Sequence, residues 1–289
     1  MVSRVEIDRR YKNIRSSMQS EGIDALIVSG NQYTGFEGAV RYVSGFEIVH
    51  RYVYVVITLE GEPVLVFPRE ARYVGDKSKP WLREHIWADV PGKWLRDQAQ
   101  SRYWKRVGVY GLDYVMAVRD YRELAAGTFE LVPFDYQFDM ARAVKSEEEL
   151  GYVRDSMSII VDGFWKLVEA YEAGKTDAEV MAPAVELFFA RGAGPRMMNI
   201  VLSGTKGEAE AHFKVPGKRV VKPDDLLLYS LEVAGTDGYW VEFSRPLIQV
   251  HVSPRTVAMR DVSGQQEGKC LADVPWRFFT GEETRDNRN

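Results

Sequence analysis

Two glutamates, Glu232 and Glu242, stand ten residues apart in the stretch LEVAGTDGYWVEF (Leu231 to Phe243), each among apolar and aromatic neighbours. A carboxylate in such company is costly unless something pairs with it, so the stretch asks for a metal ion, a basic substrate, an arginine or water. Arg245, three residues after Glu242 in FSRP, carries a planar fork able to orient a substrate carboxylate or to pair with the glutamates themselves. A turn is expected around Gly235 to Gly238; because it interrupts the strand alternation, parity alone does not decide whether the two carboxylates share a face. The single cysteine, Cys270, allows neither an internal disulfide nor a multi-cysteine metal site, has no local histidine to activate it, and suits a reducing compartment. Gly204 and Gly207 in VLSGTKGEAE fit no phosphate-binding glycine pattern, which argues against nucleotide binding.

With 289 residues, 45% of them hydrophobic, the chain can bury a large core, and two domains are expected to position these side chains. Its 42 acidic and 38 basic residues are mixed along the chain without a basic block, so nucleic acid is not an expected partner. The N-terminal MVSRVEIDRRYKNIRSS lacks the apolar core of a signal peptide, and no later apolar run approaches the ~18 residues of a membrane span. A cytoplasmic protein without membrane contact is therefore expected.

Ile7, Tyr11, Ile14 and Met18 recur at helical spacing and predict a helix ending near Gly22. ALIVSG (Ala25 to Gly30) predicts a strand, and Arg51 to Phe67 predicts two more joined around Glu60-Gly61-Glu62. Further strands at Arg106 to Tyr110 and Phe129 to Phe134 flank a helix from Asp120 to Ala126, whereas YTGF and YVSGF read as aromatic turns. These elements make an α/β domain over residues 1–138. Ser146 with Glu149, then Thr176 with Glu179, have capping-box spacing and open two helices that end near Tyr171 and Gly192. Phe164, Trp165, Phe188 and Phe189 on these helices read as core or interface packing. Strands at residues 198–204, 219–235 and 238–252 follow, giving an α+β domain over 139–255 and, beyond it, a divergent, poorly ordered tail over 256–289.

The order of these features resembles the creatinase and Xaa-Pro peptidase family, whose catalytic domain has the pita-bread fold. ALIVSG, YVSGF and the hairpin ending EPVLVFP are similar to the creatinase-type N-terminal domain, and RAVKSEEELGYVRDS to the linker and first helix of the catalytic domain. EAGKTDAEV, VLSG, His212 and KPDDLLL follow in family order, and GYWVEFSRP occupies the Gly-Tyr-x-x-acid-x-x-Arg segment. The resemblance covers residues 7 to 255. It implies an α/β creatinase-like N-terminal domain plus an α+β, incomplete pita-bread C-terminal domain, a small-molecule or short-peptide substrate, and a homodimer.

Metallopeptidases of that family hold two divalent ions with two hairpin aspartates, a later histidine and two later glutamates, and the ions activate water and polarise the scissile carbonyl. By resemblance, Glu242 takes the second hairpin position and Glu232, after a small shift in register, the first, as catalytic carboxylates or as ligands for Mn, Co or Zn. His212 is placed facing the substrate, to donate a hydrogen bond or shuttle a proton, while Arg51, Tyr239 and Arg245 are placed as substrate-binding residues. Each also has a plain structural use: a surface histidine, a set of ion pairs, a residue on the rim. The family-like text stops near Thr256, and His251 lacks the His-Gly-x-Gly context of the later ligand, so the metal site reads as incomplete. Creatinase itself works without metal, using histidine as acid and base, and on that branch no cofactor is expected. The implied activity is hydrolysis of a C–N bond in a small peptide or amidine-like substrate, impaired by the missing residues. The alternative is a catalytically silent, truncated relative acting as a binding or interaction protein.

Overall fold

The computed structural model describes residues 2–33, 35–71, 80–82, 84–193, 197–205, 214–223 and 225–248; the expectations for His212, His251, Cys270 and the 256–289 tail lie outside the described residues. The chain forms two compact units, one of Met1–Tyr152 with Asp237–Tyr239 and one of Val153–Thr236 with Trp240–Asn289. Among the described residues no helix is long and apolar enough to cross a membrane.

In the first unit, α1 (Arg4–Ser20) is capped by the Ser3 side chain, which accepts from the Glu6 amide, and it buries the predicted face of Ile7, Tyr11, Ile14 and Met18. There follow β1 (Ala25–Asn31), α2 (Gly38–Ser44), β2 (Tyr52–Thr58), β3 (Val64–Pro68), β4 (His85–Ala88), α3 (Pro91–Ser101), β5 (Arg106–Tyr110), α4 (Val118–Ala125), β6 (Glu130–Pro133) and α5 (Asp135–Ala141). The six strands make one mixed sheet in the order β4-β3-β2-β1-β5-β6, with β1 antiparallel to β2 and parallel to β5. Alternate residues of β1 enter different cores: Leu26 and Val28 pack with residues of α1, α2 and α5, while Ile27 packs with residues of α3 and α4. Helices on both faces explain why β1 reads as a continuous apolar run.

The YVSGF segment is not an aromatic turn. Tyr42 to Ser44 form the last turn of α2, and Gly45 closes it in the left-handed conformation at φ 72° with its amide on the Arg41 carbonyl. Helix α3 has no side-chain cap of its own; instead the Gly92 amide donates to Asp120 Oδ1 on α4. The approach there is so close that a Cβ on Gly92 would lie 2.1 Å from the Asp120 carbonyl oxygen.

Helix α6 (Glu147–Ala170) opens with the expected box, Ser146 and Glu149 each taking the other's amide proton, and α7 (Asp177–Ala190) opens with the Thr176–Glu179 box. In the second unit, β7 (Met197–Thr205), β8 (Asp225–Ala234) and β9 (Trp240–Ile248) form an antiparallel sheet in that order. Leu227, Tyr229, Leu231 and Val233 alternate along β8 into a core with Ile160, Phe164 and Leu167 of α6 and Phe188 of α7. Phe164 and Phe188 pack as expected, but their chain neighbours Trp165 and Phe189 are 44% and 57% exposed. Adjacent helical side chains diverge by about 100°, and in these two pairs Phe164 and Phe188 take the direction of the core while Trp165 and Phe189 point away from its centre.

Candidate active site

The hairpin of β8 and β9 decides the question that parity left open. Glu232 lies directly opposite Glu242, Ser230 opposite Ser244, and Tyr229 opposite Arg245. Since Tyr229, Leu231 and Val233 face the core with α6 and α7, the residues between them face the other side, and both carboxylates share that face. Glu242 is oriented by two hydroxyls: Ser230 Oγ donates to its Oε1 at 2.9 Å and Ser244 Oγ to the same oxygen at 3.2 Å. Among the described residues neither glutamate makes an ion pair. Burial, and then the charge of Glu242, raise the pKa of Glu232 above the ordinary glutamate value, so Glu232 holds its proton more tightly than a free side chain would. One carboxyl inclined to keep a proton beside one fixed by hydroxyl donors can divide the roles of acid and base, or together can hold a cationic group.

The other predicted residues are placed differently. Arg245 lies on the core side of the hairpin, opposite in direction to the glutamates; its guanidinium stacks over the Phe243 ring at 4.5 Å and donates to the Ser244 carbonyl at 2.7 Å. Tyr239, counted with the first unit, has its hydroxyl engaged twice, donating to Glu149 Oε1 at 2.6 Å and accepting from Arg10 Nη2 at 2.9 Å. Arg51, also in the first unit, is exposed and sits at φ 67°, a left-handed conformation that costs a residue with a Cβ about 1 kcal/mol. Its carbonyl accepts from the Gln32 amide.

The structure thus brings Glu232 and Glu242 together and adds Ser230 and Ser244, which the sequence reading did not single out. Their signal was the i+2 spacing, Ser-x-Glu and Glu-x-Ser, which means a shared face once the strands are known. Among the described residues no group of three or more His, Cys, Asp or Glu side chains converges, and two carboxylates fall short of the donor set a divalent ion takes. The described residues therefore do not fit the two-ion site of the metallopeptidases, and no step is derived through a metal.

Comparison with known proteins shows what the chain is similar to. Residues 10–144 match the Creatinase/Prolidase N-terminal domain. The prolidase of Pyrococcus horikoshii OT3 shares the fold with a TM-score of 0.67 at 19% identity, over 88% of this chain and 69% of its own. A prolidase from Thermococcus sibiricus reaches a TM-score of 0.70 at 17% identity, over 89% and 69%. The X-Pro aminopeptidase of Thermotoga maritima MSB8 gives 0.65 at 18% identity, over 88% and 68%. No curated protein matches the chain significantly. The α/β first domain and α+β second domain expected from the resemblance are those of this fold.

Proposed function

We propose, for a chain that carries a creatinase/prolidase N-terminal domain and the fold of prolidases and X-Pro peptidases, that it is a peptidase-like hydrolase of a C–N bond in a small peptide or amidine-like substrate. The observation that carries this reading is the direct pairing of Glu232 with Glu242 on one face of the hairpin, without a cation on either among the described residues. Glu242, held by Ser230 and Ser244, accepts the proton of the attacking water. Glu232, whose affinity for a proton is raised by burial and by its neighbour's charge, donates from its protonated form to the departing nitrogen. The proton taken by Glu242 then balances the one lost by Glu232, and exchange with solvent resets the pair. His212 keeps the role its resemblance gives it, a hydrogen bond to the substrate carbonyl. The same reading carries a homodimer in the cytoplasm, tested by light scattering and fractionation.

Purified protein is incubated with a set of Xaa-Pro dipeptides and creatine, with and without Mn2+, Co2+ or Zn2+, beside Glu232→Gln, Glu242→Gln and His212→Ala. Loss of an acid or base is expected to lower turnover by roughly a hundredfold or more. Turnover indifferent to both glutamate variants removes the site. A second reading, a relative that binds such ligands without cleaving them, is favoured by the convergence of only two candidate carboxylates among the described residues. It predicts calorimetric binding of a dipeptide, weakened by Glu242→Gln, with no turnover under any condition.

A further inference from the structure

Arg4, Asp8, Lys12 and Arg15 recur at spacings of four, four and three, so one face of α1 carries all four charges. Together with the turn between β2 and β3, that face encloses a cavity of about 220 Å3 within the first unit. Its walls are fixed from inside the protein. Arg15 reaches from the helix to the turn, its Nε donating to the Thr58 carbonyl at 2.9 Å and its Nη2 to the Gly61 carbonyl, and its guanidinium lies 5.6 Å from the Tyr11 ring centroid. Trp81 closes another side, held by its amide on the Ser44 carbonyl at 3.1 Å and by its indole N–H on the Tyr11 hydroxyl at 2.8 Å. Burial pushes that hydroxyl up to about 12, so it stays protonated and keeps its own bond to the Val43 carbonyl. Buried Pro63 and Leu82 add apolar surface to the lining.

The charges around the cavity do not all cancel. Arg4 pairs with Asp8 at 3.0 Å, and Arg15 is taken by its two carbonyls. Lys12 on the helix wall and Glu62 on the turn wall remain, opposite in sign and exposed, and among the described residues neither has an ion pair or a hydrogen bond. A simple anion drawn to Lys12 would meet Glu62, and a simple cation drawn to Glu62 would meet Lys12. A ligand that carries both charges satisfies both walls. The volume equals about seven waters at ~30 Å3 each and falls below the ~300–1,000 Å3 of sites for drug-sized ligands, which suits a single amino acid and not a nucleotide or a longer peptide.

We propose that this cavity binds a small zwitterion, a free amino acid with an apolar side chain, its carboxylate on Lys12, its ammonium on Glu62 and its side chain against Trp81 and Leu82. Free amino acids are what hydrolysis of a dipeptide releases, so any effect of the ligand on turnover rests on the peptidase reading; the binding itself does not.

The test titrates L-leucine into the full chain by calorimetry, beside Lys12→Met and Glu62→Gln, and repeats the titration with N-acetyl-leucine and leucinamide, which each lack one of the two charges. The Trp81 indole N–H resonance, assigned with Trp81→Phe, reports where the ligand sits. Leucine is expected to bind and to move that resonance. Each variant, and each ligand with one charge removed, is expected to weaken binding about tenfold or more. Lys12 and Glu62 are exposed, so both variants are expected to melt as the parent does. No heat and no movement of the Trp81 resonance at tens of millimolar leucine overturns the proposal. Binding that both variants leave intact overturns it as well, because leucine then sits elsewhere, and N-acetyl-leucine binding as tightly as leucine overturns the zwitterion in favour of a plain anion. Leucine binding lost in Lys12→Met, with turnover of Ala-Pro indifferent to Glu242→Gln, upholds the cavity and removes the peptidase reading. Turnover abolished by Glu242→Gln with no leucine at Trp81 does the reverse.

Discussion

Neutralising Glu6 tests the electrostatics that hold the buried Arg10 guanidinium. The Glu6 carboxylate accepts from Arg9 Nε at 2.8 Å, Arg9 Nη2 at 2.9 Å and Arg10 Nε at 2.8 Å. Burial by itself would push this acid up, but the hydrogen bonds from Arg9 and Arg10 outweigh burial and hold it at about 2, against an ordinary value of 4.5. An acid depressed on folding stabilises the native state fully above its unfolded value and loses that contribution as pH falls through its folded value, here between 4.5 and about 2. The gap converts to about 3 kcal/mol, and solvent screening at Arg9, 28% exposed, reduces it to about 2 kcal/mol. Glu6→Gln is therefore expected to cost about 2 kcal/mol at pH 7 in urea unfolding followed in the first unit. The cost should shrink below pH 4.5 and vanish near pH 2, where the wild-type side chain is neutral as well. A cost that stays constant from pH 7 to pH 3 would refute the charge-based account and leave only the shape of the side chain to explain it.

Two further outcomes follow from local geometry. Glu232 has the opposite sign to Glu6: an acid raised on folding contributes stability below its unfolded value and loses it as pH rises through its folded value, so its ionised form burdens the fold at neutral pH. Glu232→Gln should raise the thermal midpoint at pH 7, by the roughly 0.2–1 kcal/mol that like charges cost across a strand pair, and should do nothing at pH 3; a destabilised variant at pH 7 would contradict this. Gly92→Ala should cost about 3 kcal/mol, because the added methyl meets the Asp120 backbone, whereas Gly151→Ala, with nothing within 4 Å on α6, should gain roughly 0.5–1 kcal/mol. Paired thermal melts check both, and equal effects at the two glycines would count against the close approach of α3 and α4.

The features legible in the sequence were those whose causes lie within a few residues. Both capping boxes, Ser146 with Glu149 and Thr176 with Glu179, close over three residues, and the α1 face repeats within a single helix. What escaped were short elements fixed from a distance. Helix α3 begins at a Pro-Gly pair at which Gly92 donates to Asp120, 28 residues away, and α2 is seven residues long, too short for its apolar period to show against the glycines around it. β4, four residues next to β3, carries no alternation of its own.

The site divides along the same line. Residue type and spacing pointed to Glu232 and Glu242, but the face they share is a property of the register, which is set by the pairing of the two strands and by the alternate residues they bury. Tyr239 and Arg245 are placed as substrate-binding residues by resemblance; in the structure Tyr239 bonds to Arg10 and Glu149, and Arg245 lies on the core side over the Phe243 ring. The Gly-Tyr-x-x-acid segment then separates into parts with different physical duties. Gly238 allows the close approach to Arg41, Tyr239 is held by Arg10 and Glu149, and Glu242 takes its face from its pairing with Glu232. Because Val241, Phe243 and Leu247 must keep the core side, an insertion of one residue between Tyr239 and Trp240 is expected to lengthen the turn and leave the two carboxylates on one face.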